Sequence, residues 1–265
     1  MGRRPPAAVA TLLSLPLLLF LLTPIAGLVV RTTPRSYACC VQAVHALHLS
    51  FFTATAALVV SVLIGTPVAY WLAHHDFRGK DAVDTLLDLP LVLPPVAAGL
   101  ALLLLYGRQG LGSWLAQHDL RLTYTTAAVI MSQVFIASPF YVKHARAGFE
   151  SVPETLRLAS ATLGASRLRT FFRVTVPISR YALVAGAVMT WARALGEFGA
   201  TLVFAGDFPG RTETMPLAIY SSQASGTEVG LRTSIALAVV LVAVSFVVIA
   251  IAKRLTRNDL SPDMA

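Results

Sequence analysis

Four polar side chains share one predicted helix face within an otherwise apolar segment, residues 180–204. They are spaced three, four and four residues apart: Thr190, Arg193, Glu197 and Thr201. Residues at these intervals lie one above another on a helix. A lone arginine at the centre of a bilayer costs about 2.5–3.5 kcal/mol on insertion scales, and a carboxylate one turn away offsets much of that cost. The chemistry that this stripe supports is charge pairing or the attraction of an anion.

Two interpretations of the Arg193 and Glu197 pair stay open on the sequence. In one, the pair is structural and holds its helix against neighbouring helices. In the other, Arg193 supplies positive potential to an anion that moves through a pathway or gate, and the two roles are compatible. Small residues around the pair permit close helix approach, which favours a central position for this helix. These small residues are Gly186, Ala192, Gly196, Gly199 and Ala200.

The segment that follows, residues 207–222, is expected to form an outer-face element beside this stripe. Thr212 and Thr214 offer hydroxyl donors, while Pro209 and Pro216 restrict the backbone around them. The two threonines are therefore further candidates for the pathway or gate. An ordered loop without a further role fits the same residues equally well.

The composition indicates the environment in which these residues lie. Of 265 residues, 56% are hydrophobic and 13% are charged, whereas soluble domains carry about 25% charged residues. The chain is therefore predicted to be a polytopic, all-α membrane protein. Its net charge of +8 does not indicate nucleic-acid binding, because the basic residues occupy short connections, where they orient helices in a bilayer.

Six apolar segments are long enough to cross a bilayer, which requires about 17–25 residues. The predicted spans are residues 10–30, 50–72, 90–106, 124–142, 180–204 and 233–252. Pro94 and Pro95 make the third span irregular, and irregular backbone at membrane depth is tolerated only where protein or water satisfies it. These prolines therefore indicate that the third span could line a water-filled transport pathway. No linker divides the chain, so residues 1–265 are expected to form a single transmembrane domain.

The connections carry unequal numbers of Lys and Arg. With the N-terminus in the cytosol, 14 of these residues lie in cytosolic segments and six lie in outer segments. Because positive residues favour the cytosolic side, both termini are predicted to be cytoplasmic in a multi-pass protein of the cell membrane.

The largest polar stretch, residues 143–180, contains seven of the 21 Lys and Arg residues and is predicted to form two short helices outside the bilayer. Ser151 and Glu154 have the spacing of a capping box for the first helix. Gly164 can end that helix in a left-handed conformation, and Ser166 can cap the second. Pro177 is expected to close the segment and open the fifth span.

Two functions fit this basic helical hairpin. The helices could lie on the membrane surface as an amphipathic pair, or they could dock onto a soluble partner that supplies work. The sequence has no Gly-x-x-x-x-Gly-Lys-Ser/Thr phosphate loop, so nucleotide hydrolysis of the Walker type would require another subunit.

The hairpin resembles the cytoplasmic loop signature of ABC importer permeases, which reads Glu-Ala-Ala, three residues, Gly, nine residues, Ile-x-Leu-Pro. The glycine, the spacing and the proline match at Gly164 and Pro177, whereas Leu158 replaces the glutamate and Ser160 replaces the second alanine. The resemblance implies that the loop at residues 150–177 forms coupling helices that insert into an ATP-hydrolysing subunit. The residues that would carry this coupling are Glu154, Leu158, Ala159, Ser160, Gly164, Ala165, Arg167 and Pro177.

A second resemblance is more specific. Residues 191–201, 204–206 and 209–220 resemble the molybdate branch of these permeases, as does the proline-rich run at residues 89–95. Sulfate permeases share the Arg and Gly-Glu pattern but are less similar through residues 198–202.

The resemblance implies an importer for a tetrahedral oxyanion, molybdate or tungstate, that works by alternating access. The implied partners are a second copy of the chain, two cytosolic ATP-binding cassette subunits and an extracytoplasmic oxyanion-binding protein. ATP and Mg²⁺ would bind to the cassette subunits, so no cofactor, metal site or catalytic residue is expected in this chain. The alternatives are a sulfate or thiosulfate permease and an ion-coupled secondary transporter that uses Arg193 and Glu197 as a relay.

Overall fold

The computed structural model describes residues 7–32, 40–118 and 121–258, and within these ranges all regular secondary structure is helical. A π-helical segment (Phe171–Thr175) lies between the eighth and ninth α-helices. The α-helices are α1 (Ala7–Arg31), α2 (Cys40–His74), α3 (Lys80–Val92), α4 (Pro95–Tyr106), α5 (Leu111–Gln117), α6 (Thr126–Glu150), α7 (Glu154–Thr162), α8 (Arg167–Thr170), α9 (Val176–Leu195), α10 (Gly199–Ala205), α11 (Met215–Ala224) and α12 (Glu228–Asn258).

Four helical stretches in the described part of the chain are long and apolar enough to cross a membrane. They are Val44–His74, Thr126–Glu150, Arg167–Leu195 and Glu228–Ala250. Helices α3 and α4 form a fifth candidate if their bend of 111° lies within one span. The predicted all-helical membrane class is thereby confirmed, but the structure supports four or five spans where the sequence predicts six.

The centre of the structure is formed by α2, α6 and α9, which pack against one another. A Cβ added at Gly186 on α9 would lie 2.8 Å from the Cβ of His144, and one added at Gly148 on α6 would lie 2.6 Å from the Cβ of Ala182. These glycines therefore permit α6 and α9 to approach closely. The indole N–H of Trp191 also donates to Thr55, at 3.2 Å, and this bond joins α9 to α2.

The irregularity predicted at Pro94 and Pro95 is confirmed as the bend between α3 and α4. Leu93 has ψ 131° and Pro94 has ψ 131°, so both are extended. A residue before proline avoids the α conformation because the ring collides with its backbone. Pro95 then opens α4 in the first turn, where its missing N–H costs no helical hydrogen bond.

The hairpin predicted in the polar stretch is confirmed as α7 and α8 on either side of Gly164. Gly164 has φ +78°, the left-handed conformation that glycine adopts without strain. The hydroxyl of Ser166 accepts a hydrogen bond from the amide of Arg169 at 3.4 Å, as expected for a cap. The hydroxyls of Ser160 and Thr170 lie 2.9 Å apart and join the two arms.

Two local predictions in this segment are wrong. Ser151 does not cap α7, because α7 begins at Glu154 with Pro153 at the N-cap position. Ser151 instead ends α6, where its hydroxyl donates to the carbonyl of Gly148 at 2.7 Å. Pro177 does not separate the hairpin from the next helix, because α8, the π segment and α9 continue from one to the next. The amide of Val176 reaches back to the carbonyl of Phe171, and this wider turn carries the helix into Pro177.

Candidate functional site

The predicted stripe does not lie on one continuous helix, which corrects the expected span at residues 180–204. Helix α9 ends at Leu195, and α10 begins at Gly199. Glu197 lies in the gap between them and is 1% exposed. A helix start has free amide groups that need acceptors, and the local structure around Glu197 supplies one.

The carboxylate of Glu197 joins the two helices. Its Oε1 accepts a hydrogen bond from the amide of Ala200, in the first turn of α10, at 3.0 Å. Its Oε2 lies 2.7 Å from Nη2 of Arg193, in the last turn of α9. A buried carboxylate is stable only when it is paired and hydrogen-bonded, so Arg193 and the start of α10 together hold Glu197 in place.

The guanidinium of Arg193 is the accessible half of this pair. The Arg193 side chain is 29% exposed, whereas that of Glu197 is 1% exposed. A guanidinium carries five N–H donors, and the contact with Glu197 involves one nitrogen. The pair can therefore serve as a structural tie and still present further donors to an anion, so both interpretations of Arg193 remain compatible with the geometry.

The break after α9 meets the break before α4. A Cβ added at Gly199 would lie 3.0 Å from the Cβ of Pro95. A Cβ added at Gly99 would lie 2.7 Å from the carbonyl oxygen of Ala200 and 2.8 Å from its Cα. The absence of side chains at both glycines thus allows α4 and α10 to touch, and it places Pro95 beside Gly199 at the start of α10.

The two threonines of the stripe have different surroundings. The hydroxyl of Ser132 on α6 donates to the carbonyl of Val129, so Thr201 is the donor in the 3.0 Å contact between the hydroxyls of Thr201 and Ser132. Thr201 therefore fastens α10 to α6. Thr190 is fully buried, and its hydroxyl has no hydrogen-bond partner among the described residues.

The loop between α10 and α11 is held by Thr212. The Thr212 hydroxyl donates to the carbonyl of Gly206 at 2.9 Å and accepts from the amide of Phe208 at 3.0 Å. This geometry favours the ordered-loop interpretation for Thr212. Thr214 is 1% exposed, and its hydroxyl lacks a partner within the described ranges. The pathway role of the six polar candidates stays a prediction.

Asp207 in the same loop was not singled out from the sequence. Burial raises the pKa of its carboxyl above the usual value, and a hydrogen bond with Ser221 opposes this shift. An Asp that follows a Gly at a helix end gives no sequence signal of burial, so only the folded chain identifies it.

The α7–α8 hairpin has a base that packs against other helices and an exposed tip. Phe171 packs against Tyr70 and Phe149, with ring centroids 5.1 Å and 5.8 Å away. Leu158 and Leu163 are 58% and 87% exposed, and no residue of α7 is buried. Large exposed apolar patches mark interaction sites with proteins or membranes, and the exposed leucines make the hairpin a candidate for such a site.

A continuous helical path joins this hairpin to the Arg193 pair. The path from Arg167 to Leu195 has 29 residues, which corresponds to about 43 Å at the α-helical rise. Its start lies in the hairpin, and Arg193 lies in its last turn. A displacement of the hairpin would therefore be transmitted along this single helical stretch to the break after α9.

Comparison with known proteins identifies the family. The family model described as "Binding-protein-dependent transport system inner membrane component" matches residues 65–258, and the chain belongs to this family. It is therefore an integral membrane component of a transport system, and the resemblance to ABC importer permeases is confirmed.

Two relatives cover most of the chain. A probable molybdenum ABC transporter permease protein of Haloferax volcanii is 40% identical over 232 residues, which are 86% of this chain and 82% of the relative. The molybdate/tungstate transport system permease protein WtpB of Pyrococcus abyssi is 35% identical over 202 residues, or 76% of this chain and 74% of the relative.

A solved structure shares the fold. It belongs to a bacterial ABC transporter involved in the import of the acidic polysaccharide alginate, with a TM-score of 0.73, 17% identity and 95% coverage of both chains. At this identity the likeness concerns the fold alone.

Proposed function

We propose that this chain is the membrane subunit of an ATP-driven importer for molybdate or tungstate. The names of the two relatives support this substrate class, and Arg193 provides a cation beside a helix break. The observation that carries the proposal is the uninterrupted helix from the exposed hairpin to Arg193, because it gives an external motor a mechanical route into the membrane.

In this mechanism the hairpin docks into a groove on a cytosolic ATP-binding cassette subunit. The leucines of α7 would fill apolar pockets there, while Arg167 and Arg169 would meet acidic groups. Gly164 and Ala165 would shape the tip, and Ser160 would keep the arms together. ATP and Mg²⁺ bind to the cassette subunit, whose closure favours one membrane conformation through its higher affinity for that conformation.

The membrane part would consist of a single domain with six spans and cytoplasmic termini, with α1 and the bent α3–α4 pair completing the set. Two copies would form the pathway between them, with one hairpin for each of two cassette subunits. Exposed apolar side chains along α12, including Phe246 and Val247, are available to lipid or to the second copy.

The anion would reach the pathway from an extracytoplasmic binding protein. We assign the pathway to the region around the α9–α10 break, where Arg193 offers donors and Glu197 prevents an uncompensated charge. Rocking of α10 relative to α4 would open and close this region, since Gly99 and Gly199 make the contact between these two helices.

The test is reconstitution of the chain into vesicles with candidate cassette and binding proteins from its genomic neighbours. The proposal predicts that both proteins act with the chain and that molybdate or tungstate accumulates only with ATP. Accumulation driven by an ion gradient without ATP would contradict the mechanism and favour a secondary transporter. ATP-dependent uptake of sulfate in preference to molybdate would contradict the substrate assignment alone.

A further inference from the structure

A cavity of about 870 Å³ lies at the opposite end of α6 from the hairpin. It is bounded by the last turn of α4, by α5 and by the chain that leads into α6. Helix α6 has 25 residues, or about 37 Å at the helical rise. The cavity and the hairpin are therefore separated by roughly the thickness of a bilayer.

Three guanidinium groups line this cavity. Arg108 follows α4, Arg121 precedes α6, and Arg211 comes from the loop between α10 and α11. All three side chains are exposed, and none forms a salt bridge within the part of the chain that the structure describes. Because the described lining contains no carboxylate, the cavity attracts an anionic group.

The remaining wall of the cavity combines leucine side chains with uncharged polar ones. Leu103, Leu104 and Leu122 line it, and Leu104 is also 54% exposed at the surface. Next to the cavity, α5 exposes Leu111 and Trp114. Tryptophan is enriched at the level at which a membrane protein meets the headgroups of a bilayer.

The size of the cavity discriminates between possible occupants. A volume of about 870 Å³ lies within the range of about 300–1,000 Å³ that proteins use for organic ligands, whereas a water molecule takes about 30 Å³. A single inorganic oxyanion would fill little of this space and would gain nothing from the leucine wall. An amphiphile with an anionic headgroup uses the arginines and the leucines together.

We propose that this cavity binds an anionic phospholipid, with its phosphate on Arg108, Arg121 and Arg211 and its glycerol and upper acyl segments on the leucine wall. The bound lipid would stabilise the loop between α10 and α11. That loop is already tied to α6, because the hydroxyl of Thr126 donates to the carbonyl of Arg211 at 2.9 Å.

The test measures lipid retention by the full-length protein. Protein purified from vesicles of equal phosphatidylglycerol and phosphatidylcholine is analysed by native mass spectrometry and by thermal unfolding with each lipid added. Phosphatidylglycerol should be retained preferentially and should raise the unfolding temperature. Arg108→Gln, Arg121→Gln and Arg211→Gln should each weaken its binding about fivefold, and Leu104→Asn should weaken it as well.

The matched control is Arg31→Gln, since Arg31 is an exposed cation at the end of α1 and does not line the cavity. This variant should retain phosphatidylglycerol as the wild type does. Equal retention of the two lipids, or an equal loss in Arg31→Gln, would overturn the proposal. Displacement of the lipid by an equal concentration of molybdate or polyglutamate would overturn it too, in favour of an inorganic anion or an acidic protein segment.

Discussion

One carboxylate oxygen of the buried Glu197 lies 2.7 Å from the guanidinium of Arg193. The other oxygen accepts a hydrogen bond from the amide of Ala200. One side chain thus connects the end of α9 to the start of α10. The pair explains why a helix can break there without leaving an unpaired charge or an unsatisfied amide.

Replacement of Glu197 tests this connection. Glu197→Gln keeps an acceptor for the amide of Ala200 but removes the charge that faces Arg193. We expect it to lower the free energy of unfolding by about 1–3 kcal/mol, toward the lower end because Arg193 is partly exposed. Thermal unfolding in detergent measures this loss.

The double variant Arg193→Gln with Glu197→Gln separates the two roles of Arg193. If the pair is only structural, the double variant should recover stability and uptake together. If Arg193 also attracts the anion, stability should recover while uptake stays low. Full recovery of uptake would contradict the pathway role that we propose for Arg193.

The contact between α4 and α10 requires glycine at position 99. Gly99→Ala would place a Cβ 2.7 Å from the carbonyl oxygen of Ala200, and such overpacking costs about 1–3 kcal/mol. We expect lower folded yield and slower uptake. Gly27→Ala on α1 is the control, because nothing lies within 4 Å of its added Cβ. Equal behaviour of the two variants would mean that the contact between α4 and α10 is not needed.

The turn of the hairpin can be strained without any collision. Gly164 has φ +78° and no atom within 4 Å of an added Cβ, so Gly164→Val introduces backbone strain of about 1–2 kcal/mol. We expect ATP hydrolysis to continue with reduced uptake, measured as the ratio of the two rates in vesicles. Gly79→Val is matched, since Gly79 has φ +95° and the same empty surroundings, and it should keep the normal ratio.

The raised pKa of Asp207 predicts that the stability of the protein depends on pH. Burial raises the pKa of its carboxyl, so the folded state binds the proton more tightly than the unfolded state does. Stability from this group is therefore present at low pH and is lost as pH rises through the raised pKa. Asp207→Asn should unfold at a higher temperature than the wild type at pH 7, and the difference should shrink toward pH 4. A constant difference across this range would contradict the assignment.

The sequence predicts the hairpin well because its signals are local. Gly164 supplies the left-handed turn, and Ser166 caps the helix that follows, so neither depends on distant contacts. The proline bend before α4 is likewise a property of neighbouring residues, and it too is confirmed.

The break after Leu195 could not be predicted from periodicity, because spacing of three and four residues fits a continuous helix equally well. What decides it is tertiary: the glycine contact of α10 with α4 and the hydrogen bond of Thr201 with Ser132. The predicted capping box is wrong because Ser151 still belongs to the end of α6, and Pro153 takes the N-cap position of α7. The sequence predicts a boundary at Pro177 because the π turn that carries the helix past this residue has no sequence signature.

In the proposed mechanism, the exposed hairpin receives work from a cassette subunit. The most direct measurement is co-purification of that subunit, together with ATP-driven molybdate uptake, for the wild type and for Leu163→Glu. Leu163 is 87% exposed, so the change should leave the fold of the chain intact. We expect Leu163→Glu to lose both the bound cassette subunit and the uptake. Retention of both by this variant would rule out the hairpin as the docking site.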